Sequence, residues 1–155
     1  LMATIYLLAF YPHGDADMAR DRLLHQQIGT LAADRLFTGN ISAKNLAAFP
    51  WPSAQRELHL LAAYKTPRDK VACVVRCCKH IGTLLNASGK SMASSADDSL
   101  PVLIYVVVKA NPKSILSTIQ FVNSFYSKDL QGEEAYYWTQ FCSVVEYVKT
   151  ILNQQ

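Results

Sequence analysis

Two adjacent carboxylates, Asp97 and Asp98, stand where the chain changes abruptly from polar to apolar. They precede the run Val102–Val108, in which the Tyr105 hydroxyl is the only polar side-chain group. A run without a polar face must be covered on all sides, so it predicts the central buried element of the fold. Carboxylates at the end of such a rigid element lose little binding free energy to ordering, which suits them to act on a partner.

The same two acids also have a structural explanation. Acidic residues in the first turn of a helix stabilise it by about 0.3–1 kcal/mol each, because they face the positive end of the helix dipole. With no other feature of the sequence considered, this structural role is the favoured one for Asp97 and Asp98.

A cluster of Cys73, Cys77, Cys78 and His80 has the residue types of a metal site. At helical spacing Cys73 and Cys77 share a face, but no second cysteine or histidine pair follows at zinc-site spacing. We therefore expect no metal, and a buried apolar role for these thiols.

The tripeptide Gly89-Lys90-Ser91 matches the end of a phosphate-binding P-loop. That motif requires a glycine five residues before Gly89, where this chain has Leu84, and it requires a preceding strand. The four histidines are scattered, and none is placed with a serine or cysteine as in a catalytic triad. The sequence thus predicts neither a nucleotide-binding loop nor a hydrolytic site.

A stripe of polar residues recurs every three to four positions near the start of the last predicted helix. Such spacing places its members on one helix face. Hydroxyl and amide groups among aromatic residues make an amphipathic face, as partner-binding surfaces often are, while packing in the core remains the alternative for the tyrosine and its aromatic neighbours. The stripe consists of Tyr136, Thr139, Gln140 and Ser143.

A basic stretch in the middle of the chain is most simply a solvent-exposed helix face. Attraction to an acidic membrane surface is the minor alternative. The cations concerned are Lys65, Arg68, Lys70, Arg76 and Lys79.

Composition bounds the class of protein. With 155 residues, 50% of them hydrophobic and 17% charged, the chain has enough apolar mass for one globular domain. A net charge of +3 is too small to indicate nucleic-acid binding. Clustered cysteines are typical of a reduced, cytosolic protein.

No apolar run reaches the roughly 18 residues of a membrane span, and a leucine before Met2 suggests excision from a longer protein.

Apolar periodicity predicts helices in the first part of the chain. A short apolar segment, residues 1–11, ends in a turn at residues 12–15. An amphipathic helix then runs from Asp15 to about Phe37 and is ended by Gly39-Asn40. Its apolar positions, at spacings of three to five residues, are Met18, Leu23, Leu24, Ile28, Leu31 and Leu36.

Two prolines flank a tryptophan in Pro50-Trp51-Pro52. They predict a stiff, extended corner that presses the indole onto the core. The next predicted helix is Ser53–Tyr64, with Leu58, Leu61 and Ala62 on its apolar face.

A strong helix start follows. Thr66 can cap a helix whose first residue is Pro67, and Asp69 then faces the positive helix end. This helix continues to about Asn86, after which the serine- and glycine-rich residues 86–96 predict a mobile loop.

The central apolar run is strand-like by propensity, but we predict a helix. Its neighbours are helical in pattern, a lone strand has no partner, and Pro101 fits a first helical turn. Asn111-Pro112 separates it from a helix over residues 113–126, and Gly132-Glu133-Glu134 opens a last helix that runs to about Asn153. The predicted fold is all-α, a layered bundle of about seven helices.

Four motifs together resemble the VPS9 domain, and they occur in the order of that family over roughly residues 12–152. Tyr11–Asp15 and the region from Phe125 to Glu134 are most similar to the subfamily that joins a GTPase-activating domain to a VPS9 domain. The four motifs are Pro50-Trp51-Pro52-Ser53-Ala54-Gln55; Tyr64-Lys65-Thr66-Pro67-Arg68-Asp69-Lys70; Ser95-Ala96-Asp97-Asp98 with Leu100-Pro101-Val102-Leu103-Ile104-Tyr105 and Lys109-Ala110-Asn111-Pro112; and Gly132-Glu133-Glu134 with Tyr136-Tyr137.

The resemblance implies a guanine-nucleotide exchange factor for Rab GTPases of the early-endosomal (Rab-five) subfamily, working without covalent chemistry or a cofactor. In the family, the acid four residues before the motif proline acts as an aspartate finger. These positions are Asp97 and Pro101 here. The family's motif tyrosine and the threonine three residues later correspond to Tyr136 and Thr139. A departure is Ser99, where the family usually has a large apolar residue.

The resemblance also bears on domain organisation and location. It implies one VPS9-type domain over residues 1–155, in which residues 1–40 either belong to the domain or form a separate N-terminal helical layer. It further implies a cytoplasmic protein, recruited to endocytic vesicles and early endosomes through partners or flanking regions.

Helical spacing would place Asp97, Pro101 and Tyr105 on one side of a groove that grips the GTPase, with Tyr136 and Thr139 on the other side. An alternative function is a non-catalytic helical adaptor, which binds a Rab GTPase without releasing its nucleotide. Such an adaptor would need no carboxylate at position 97. A metal-dependent or hydrolytic enzyme is a third class, and it would require a bound metal that we do not expect.

Overall fold

The computed structural model describes residues 2–37, 51–87 and 96–154. No strand occurs in these residues, and the predicted all-α class is confirmed. The stop at Gly39-Asn40, most of the predicted loop at 86–96 and the tripeptide Gly89-Lys90-Ser91 lie outside the described residues. The helices are α1 Met2–Phe10, α2 Asp15–Ala33, α3 Pro52–His59, α4 Pro67–Ala87, α5 Ala96–Ala110, α6 Ile115–Phe125 and α7 Gly132–Asn153.

Helix α5 is enclosed within the bundle, because it packs against α2, α3, α4 and α7. Four neighbouring helices supply the cover that an apolar run without a polar face requires, and this packing overrides the strand propensity of valine and isoleucine. The predicted central buried helix is confirmed. Its buried residues within the apolar run are Val102, Leu103, Val106, Val107 and Val108.

Pro101 lies deeper in α5 than the sequence predicts. The helix begins at Ala96, so Pro101 falls beyond its first turn. Because proline has no backbone N–H, the carbonyl of Asp97, four residues earlier, is left without its intrahelical donor. The prediction that Pro101 belongs to the first turn was wrong, since five residues, Ala96 to Leu100, extend the helix backwards from it.

Helix α2 ends earlier than predicted. Its last residue is Ala33 rather than Phe37, and the N–H of Asp34 bonds to the carbonyl of Leu31 (3.2 Å). Only one narrow stripe of its apolar residues meets the core, because positions outside the i, i+4, i+7 spacing rotate towards solvent. The buried apolar residues are Leu24, Ile28 and Leu31, whereas Met18, Leu23 and Leu36 are exposed, contrary to the predicted apolar face.

Helix α1 and the turn after it precede α2. The predicted turn is confirmed at residues 12–14. Helix α1 packs on α6 through aromatic rings, with the Phe121 ring centroid 5.6 Å from those of both Tyr6 and Phe10. The opposite face of α1 is apolar and largely exposed, as Leu8 shows with 69% of its surface accessible.

Trp51 is buried, as predicted, but its own backbone is not extended; Pro50 lies outside the described residues. The Trp51 backbone lies in the left-handed region, with φ 60° and ψ 38°. A side chain with a Cβ is disfavoured there, so this conformation costs free energy. Burial of the whole indole offsets that cost, and the preference of a residue before proline for extended backbone is overridden.

Helix α3 is shorter than predicted, since it ends at His59 and is followed by turns. Leu58 and Leu61 are buried as predicted, but Ala62 is exposed because the chain has left the helix by that point. His59 Nε2 donates to the carbonyl of Ala110 at the end of α5 (2.8 Å), which ties the two helix ends together.

Helix α4 begins as predicted. Thr66 Oγ1 accepts the backbone N–H of Asp69 (3.1 Å), which satisfies one of the unpaired donors of the first turn. The helix ends at Ala87, one residue beyond the predicted end. The later boundaries are also close to prediction, because α6 begins at Ile115 and α7 spans Gly132–Asn153.

Lys70 contradicts the predicted solvent-exposed face of α4. Its side chain is fully buried, and its Nζ donates to the carbonyl of Leu61 (2.7 Å). The ammonium group lies 4.8 Å from the ring centroid of Phe10 and 5.5 Å from that of Tyr6. Burial, and secondarily the charge of Lys65, lower the pKa of Lys70 to about 8. Helix α1 therefore covers a buried cation, which the spacing of residues along α4 does not reveal.

Asp21 joins α2 to the start of α6. Its buried carboxylate accepts hydrogen bonds from the backbone N–H groups of Leu116 (3.0 Å) and Ser117 (3.1 Å) and from the Ser117 hydroxyl. The residue before α6, Ser114, makes no capping bond, so α2 supplies the cap from outside the helix. Burial raises the pKa of Asp21 in spite of these bonds.

The cysteines are free thiols within the packed interior. Cys73, Cys77 and Cys78 are buried and Cys142 is half-buried, as the prediction of an apolar role requires. Burial raises the pKa of Cys73 to about 11 and that of Cys78 to about 12, so both remain neutral thiols near pH 7.

Within the described part of the chain, no single helix is long and apolar enough to span a bilayer. Helices α5 and α6 meet the length and composition criteria only together, as a pair bent by 118°.

Candidate functional site

A cavity of about 210 Å³ lies where α4, α5 and α7 meet. Among the predicted site residues, Tyr136 lines this cavity, whereas Pro101, Tyr105 and Thr139 do not. The lining comes from three helices: Cys78, Ile81, Gly82 and Asn86 of α4, Ser99 and Leu103 of α5, and Tyr136, Tyr137 and Gln140 of α7.

Helix α5 turns a different face towards α2. Successive helical residues are rotated by 100°, so Pro101 and Tyr105 are rotated by about 200° from the cavity-lining positions two residues before each. Lys109 Nζ lies 5.6 Å from the Tyr105 ring centroid and donates to the carbonyl of Ala32 at the end of α2 (2.6 Å). Tyr105 is therefore near α2, and the cavity does not bring it together with Tyr136.

Asp97 belongs to the first turn of α5, which begins at Ala96. Its side chain lies outside the described part of the structure. Two residues further on, Ser99 lines the cavity, so the first turn of α5 adjoins it. The orientation of the Asp97 carboxylate towards a partner stays a prediction.

The polar stripe of α7 is on the surface, as predicted. Tyr136 is 54% exposed, Thr139 and Ser143 are exposed, and Gln140 is half-buried. Gln140 Nε2 donates to the Tyr136 hydroxyl oxygen (2.8 Å), one helical turn away, which restricts the tyrosine side chain. The buried aromatic residues of α7 lie on its other face. Packing in the core, the alternative interpretation, therefore holds for those residues, whereas Tyr136 belongs to the exposed amphipathic face. Use of the stripe as a binding surface stays a prediction.

The start of α7 is held from two sides. Lys79 Nζ of α4 lies 3.3 Å from Glu133 Oε1, and the Tyr126 hydroxyl, just after α6, donates to Glu134 (3.2 Å). The first contact is a solvent-exposed ion pair, worth at most about 1 kcal/mol. Burial, and then the charge of Glu133, raise the pKa of Tyr137, so its hydroxyl remains protonated near pH 7. These contacts orient the helix turn that carries the stripe.

The α4 wall of the cavity was missed by reasoning from sequence. Gly82 carried a signal on this wall, because a glycine inside a helix costs about 1 kcal/mol relative to alanine and so suggests a packing or functional reason. A Cβ atom placed on Gly82 would meet no heavy atom within 4 Å. Ser99 carried a second signal, since it departs from the apolar residue usual in the resembling family.

The lining of the cavity combines buried apolar side chains with exposed and half-exposed hydroxyl and amide groups. Among the described residues, no three His, Cys, Asp or Glu side chains are grouped as a metal site. The cavity is smaller than the roughly 300–1,000 Å³ of typical small-molecule sites. Its apolar floor, with hydroxyl and amide groups at the rim, suits contact with another protein.

Residues 51–153, from Trp51 through α7, match the family described as the vacuolar sorting protein 9 (VPS9) domain. The match covers the central helix, the cavity and the stripe of α7. The chain therefore belongs to the VPS9 domain family, as the four motifs indicated.

Named relatives are similar over nearly the whole chain. GTPase-activating protein and VPS9 domain-containing protein 1 of Homo sapiens is 46% identical over 156 residues, covering 97% of this chain and 10% of that protein. Receptor-mediated endocytosis protein 6 of Caenorhabditis elegans is 47% identical over 155 residues, covering 96% and 14%. Vacuolar protein sorting-associated protein 9A of Arabidopsis thaliana is 40% identical over 122 residues, covering 72% and 24%. The chain thus spans between a tenth and a quarter of the length of these relatives.

Proposed function

We propose that this chain is a guanine-nucleotide exchange factor for Rab GTPases, acting in endocytosis. Membership of the VPS9 domain family supports the activity, and the name of the Caenorhabditis elegans relative, receptor-mediated endocytosis protein 6, supports the process. Within the Rab GTPases, we propose the early-endosomal Rab-five subfamily as the substrate. Exchange makes and breaks no covalent bond.

The observation that carries the proposal is the position of Asp97 in the first turn of the buried central helix. Four helices pack around α5, so a residue at its start stands on a rigid support. A carboxylate on such a support can enter a partner without a large loss of conformational entropy. We propose that Asp97 is the aspartate finger.

The finger would act on the phosphate site of the GTPase. A small GTPase holds its nucleotide through phosphate contacts with a P-loop lysine and Mg²⁺. An incoming carboxylate competes with the phosphate oxygens for the lysine, and it repels the phosphate because both are negative. Exchange then requires only that the factor bind the nucleotide-free GTPase more tightly than the GDP-bound form.

One carboxylate is not sufficient for this preference. Reversing a 1:99 equilibrium takes about 5.5 kcal/mol of differential affinity, whereas a hydrogen bond to a charged group contributes about 1.5–3 kcal/mol. We propose that the remainder comes from contacts with the GTPase switch regions. Pro101 and Tyr105 would supply these contacts from α5, and Tyr136 and Thr139 would supply them from α7. The exposure of Tyr136 and its hydrogen bond to Gln140 support this role.

The test is the release of labelled GDP from a panel of purified Rab GTPases. Wild type should accelerate release from Rab-five-subfamily members. Asp97→Asn keeps the shape of the side chain and removes its charge, and it should lower kcat/KM about a hundredfold. Asp98→Asn is the matched control, because it removes the neighbouring charge from the same turn, and it should keep kcat/KM within about threefold.

Each part of the proposal can fail separately. Acceleration of no Rab by wild type would show that exchange is the wrong function, and binding of nucleotide-free Rab without release would then indicate the non-catalytic adaptor. Acceleration of other Rabs only would refute the assigned subfamily. Full activity of Asp97→Asn would refute the finger while leaving the activity intact.

We further propose that residues 1–155 act as one VPS9-type domain, cytoplasmic and recruited to endocytic vesicles and early endosomes by its GTPase or by flanking regions. The packing of α2 on α5, α6 and α7 supports the inclusion of the N-terminal residues in the domain. Targeting by the GTPase would be tested by imaging the tagged domain in cells that lack the responding Rab, where a diffuse signal is expected.

A further inference from the structure

We infer that helix α1 is a lipid-contacting surface, which inserts its exposed apolar side chains into a membrane that contains anionic phospholipids. The inference does not depend on the exchange activity. It goes beyond recruitment by the GTPase or by flanking regions, because it gives the domain a membrane contact of its own.

Helix α1 is apolar on all sides and contains no charged residue. A helix of this kind requires cover on all sides, either in protein or in lipid. Helix α6 covers one side, through the contacts of Phe121 with Tyr6 and Phe10. On the other side, large apolar residues of α1 and of the end of α6 are more than half exposed: Ile5, Leu7, Leu8 and Phe125. Exposed apolar residues grouped in this way mark a site of interaction with a protein or a membrane.

A cavity of about 580 Å³ opens beside α1, and its lining favours lipid as the occupant. Its polar groups are the ammonium of Lys65 and the hydroxyls of Tyr6 and Thr66. Lys65 Nζ already donates to the carbonyl of Ala62 (3.2 Å), and Thr66 Oγ1 accepts the N–H of Asp69 (3.1 Å). A protein interface needs about one hydrogen bond for each 100–200 Å², whereas acyl chains need none. The remaining lining residues are Ile5, Leu7, Ala9 and Phe121.

The charged groups against the rings of α1 are both cations. Lys65 Nζ lies 4.8 Å from the Tyr6 ring centroid, and the buried Lys70 Nζ lies 4.8 Å from that of Phe10. Arg68 adds an exposed cation in the first turn of α4, and Asp69 adds one acid, so this segment keeps a net positive charge. A lysine at the edge of an apolar surface can hold its ammonium at the level of the lipid headgroups while its stem lies against the apolar layer. This charge selects anionic over neutral lipid.

The α1 surface is separate from the proposed contacts with the GTPase. No residue that lines the cavity beside α1 belongs to α5 or α7, whereas the proposed finger and the stripe do. A domain that lies on a membrane through α1 can therefore still engage a GTPase through α5 and α7.

Co-sedimentation with vesicles tests the inference. Wild type should bind vesicles of phosphatidylcholine and phosphatidylserine (about 3:1) roughly fivefold more tightly than vesicles of phosphatidylcholine alone. Ile5→Ser combined with Leu8→Ser should lower binding to the mixed vesicles about tenfold or more, because it removes two exposed apolar side chains. Leu23→Ser combined with Leu36→Ser is the matched control, since these exposed leucines belong to α2 and the turn after it, and binding should stay within about twofold. Thermal melting checks that each variant is folded.

Two further measurements separate insertion from attraction by charge alone. A polarity-sensitive dye on Leu8→Cys should shift its emission to the blue with the mixed vesicles, whereas the same dye on Leu23→Cys should not. Lys65→Gln should reduce the preference for phosphatidylserine about fivefold. Arg35→Gln removes an exposed charge beyond the end of α2 and should leave that preference unchanged.

Several results would overturn the inference. If wild type sediments with neither kind of vesicle, the surface belongs to a protein partner instead. If the Ile5 and Leu8 double variant binds as wild type does, or if the dye at position 8 shows no shift, α1 does not insert. A wild-type dimer that the double variant abolishes, measured by light scattering, would make a second copy the occupant. Exchange on a soluble Rab is scored separately, and the double variant should leave it unchanged, so failure of the lipid contact is distinguishable from failure of the proposed function.

Discussion

Lys70 gives the stability of this fold a pH dependence with an unusual sign. In the folded protein its pKa is about 8 instead of 10.5, because burial and then Lys65 disfavour the charged form. In the unfolded chain the lysine regains its ordinary pKa. Between about pH 8 and 10 the unfolded state therefore binds more protons than the folded state, and the Lys70 contribution makes the fold more stable as the pH rises.

The size of the effect follows from the two pKa values. Their difference corresponds to about 3 kcal/mol, at 1.36 kcal/mol for each pKa unit. The free energy of unfolding should gain about 1 kcal/mol of this between pH 8 and 9, and a similar amount between pH 9 and 10. The buried thiols act in the opposite direction, because burial raises the pKa of Cys73 to about 11 and that of Cys142 likewise. Wild type alone therefore does not isolate the lysine.

Lys70→Met isolates it, because methionine keeps an unbranched apolar stem and lacks the ammonium group. Urea unfolding of both proteins, followed by circular dichroism from pH 7 to 10, gives the difference in unfolding free energy at each pH. Cys77, Cys78 and Cys142 occur in both proteins and cancel, whereas Cys73, whose pKa is lowered by the charge of Lys70, is replaced by alanine in both. We expect wild type to gain about 1 kcal/mol per pH unit over Lys70→Met between pH 8 and 10. Lys128→Met removes an exposed lysine and serves as the control, for which the difference should stay flat.

A difference between wild type and Lys70→Met that does not vary with pH would refute the argument, since it would mean that burial beneath α1 leaves the proton affinity of the lysine unchanged. A difference that falls as the pH rises would mean that folding raises the pKa of Lys70 instead of lowering it, and it too would refute the argument.

Three further predictions concern stability. Thr66→Ala removes the cap on the Asp69 N–H and should lower the free energy of unfolding by about 1 kcal/mol in urea denaturation; an unchanged midpoint would contradict the cap. Asp21→Ala leaves two backbone N–H groups and a hydroxyl at the start of α6 without their acceptor, and it should cost about 3 kcal/mol or more, whereas a loss below 1 kcal/mol would show that water replaces the carboxylate. Gly82→Ala should raise the melting temperature, with a gain of about 0.5–1 kcal/mol, because the added methyl meets no atom. Gly29→Ala is its control, since there the Cβ would lie 3.4 Å from a side-chain nitrogen and the gain should be smaller.

Helix boundaries were predictable where their causes are local. The Thr66 cap, the Asn111-Pro112 break and the acidic start of α7 act within a few residues, and the observed helices begin and end within three residues of these signals. Helix ends without such signals were misplaced, as for α2, because the end of a helix then depends on what the rest of the fold packs against it.

Burial of polar groups was not predictable from spacing. Lys70 lies among exposed and half-exposed cations in the sequence, but α1, about sixty residues earlier, covers it. Trp51 adopts a left-handed backbone against its local preference because the core takes up the indole. Lys70 is covered by a helix that is distant in the sequence, and Trp51 precedes a helix rather than lying inside one. Helical periodicity therefore predicts neither the burial of Lys70 nor the backbone conformation of Trp51.

The site divides in the same way. The stripe of α7 and its exposed Tyr136 follow from helical spacing alone. The cavity does not, because it is a space left by three helices, and its lining positions Gly82 and Ser99 are defined by what their neighbours fail to fill. Pro101 and Tyr105 share a helix with that lining and nevertheless lie on another face of it.

By itself the sequence determined that this protein is all-α, that Val102–Val108 lies at its centre, and that its motifs are those of a VPS9 domain. These properties depend on composition, periodicity and short-range order, which are written along the chain. Only the tertiary structure decided which charges are buried, which helix caps which, and which residues face one another across a cavity. The physical reason is that those properties arise from contacts between residues far apart in sequence, whose free energies exist only once the helices have packed.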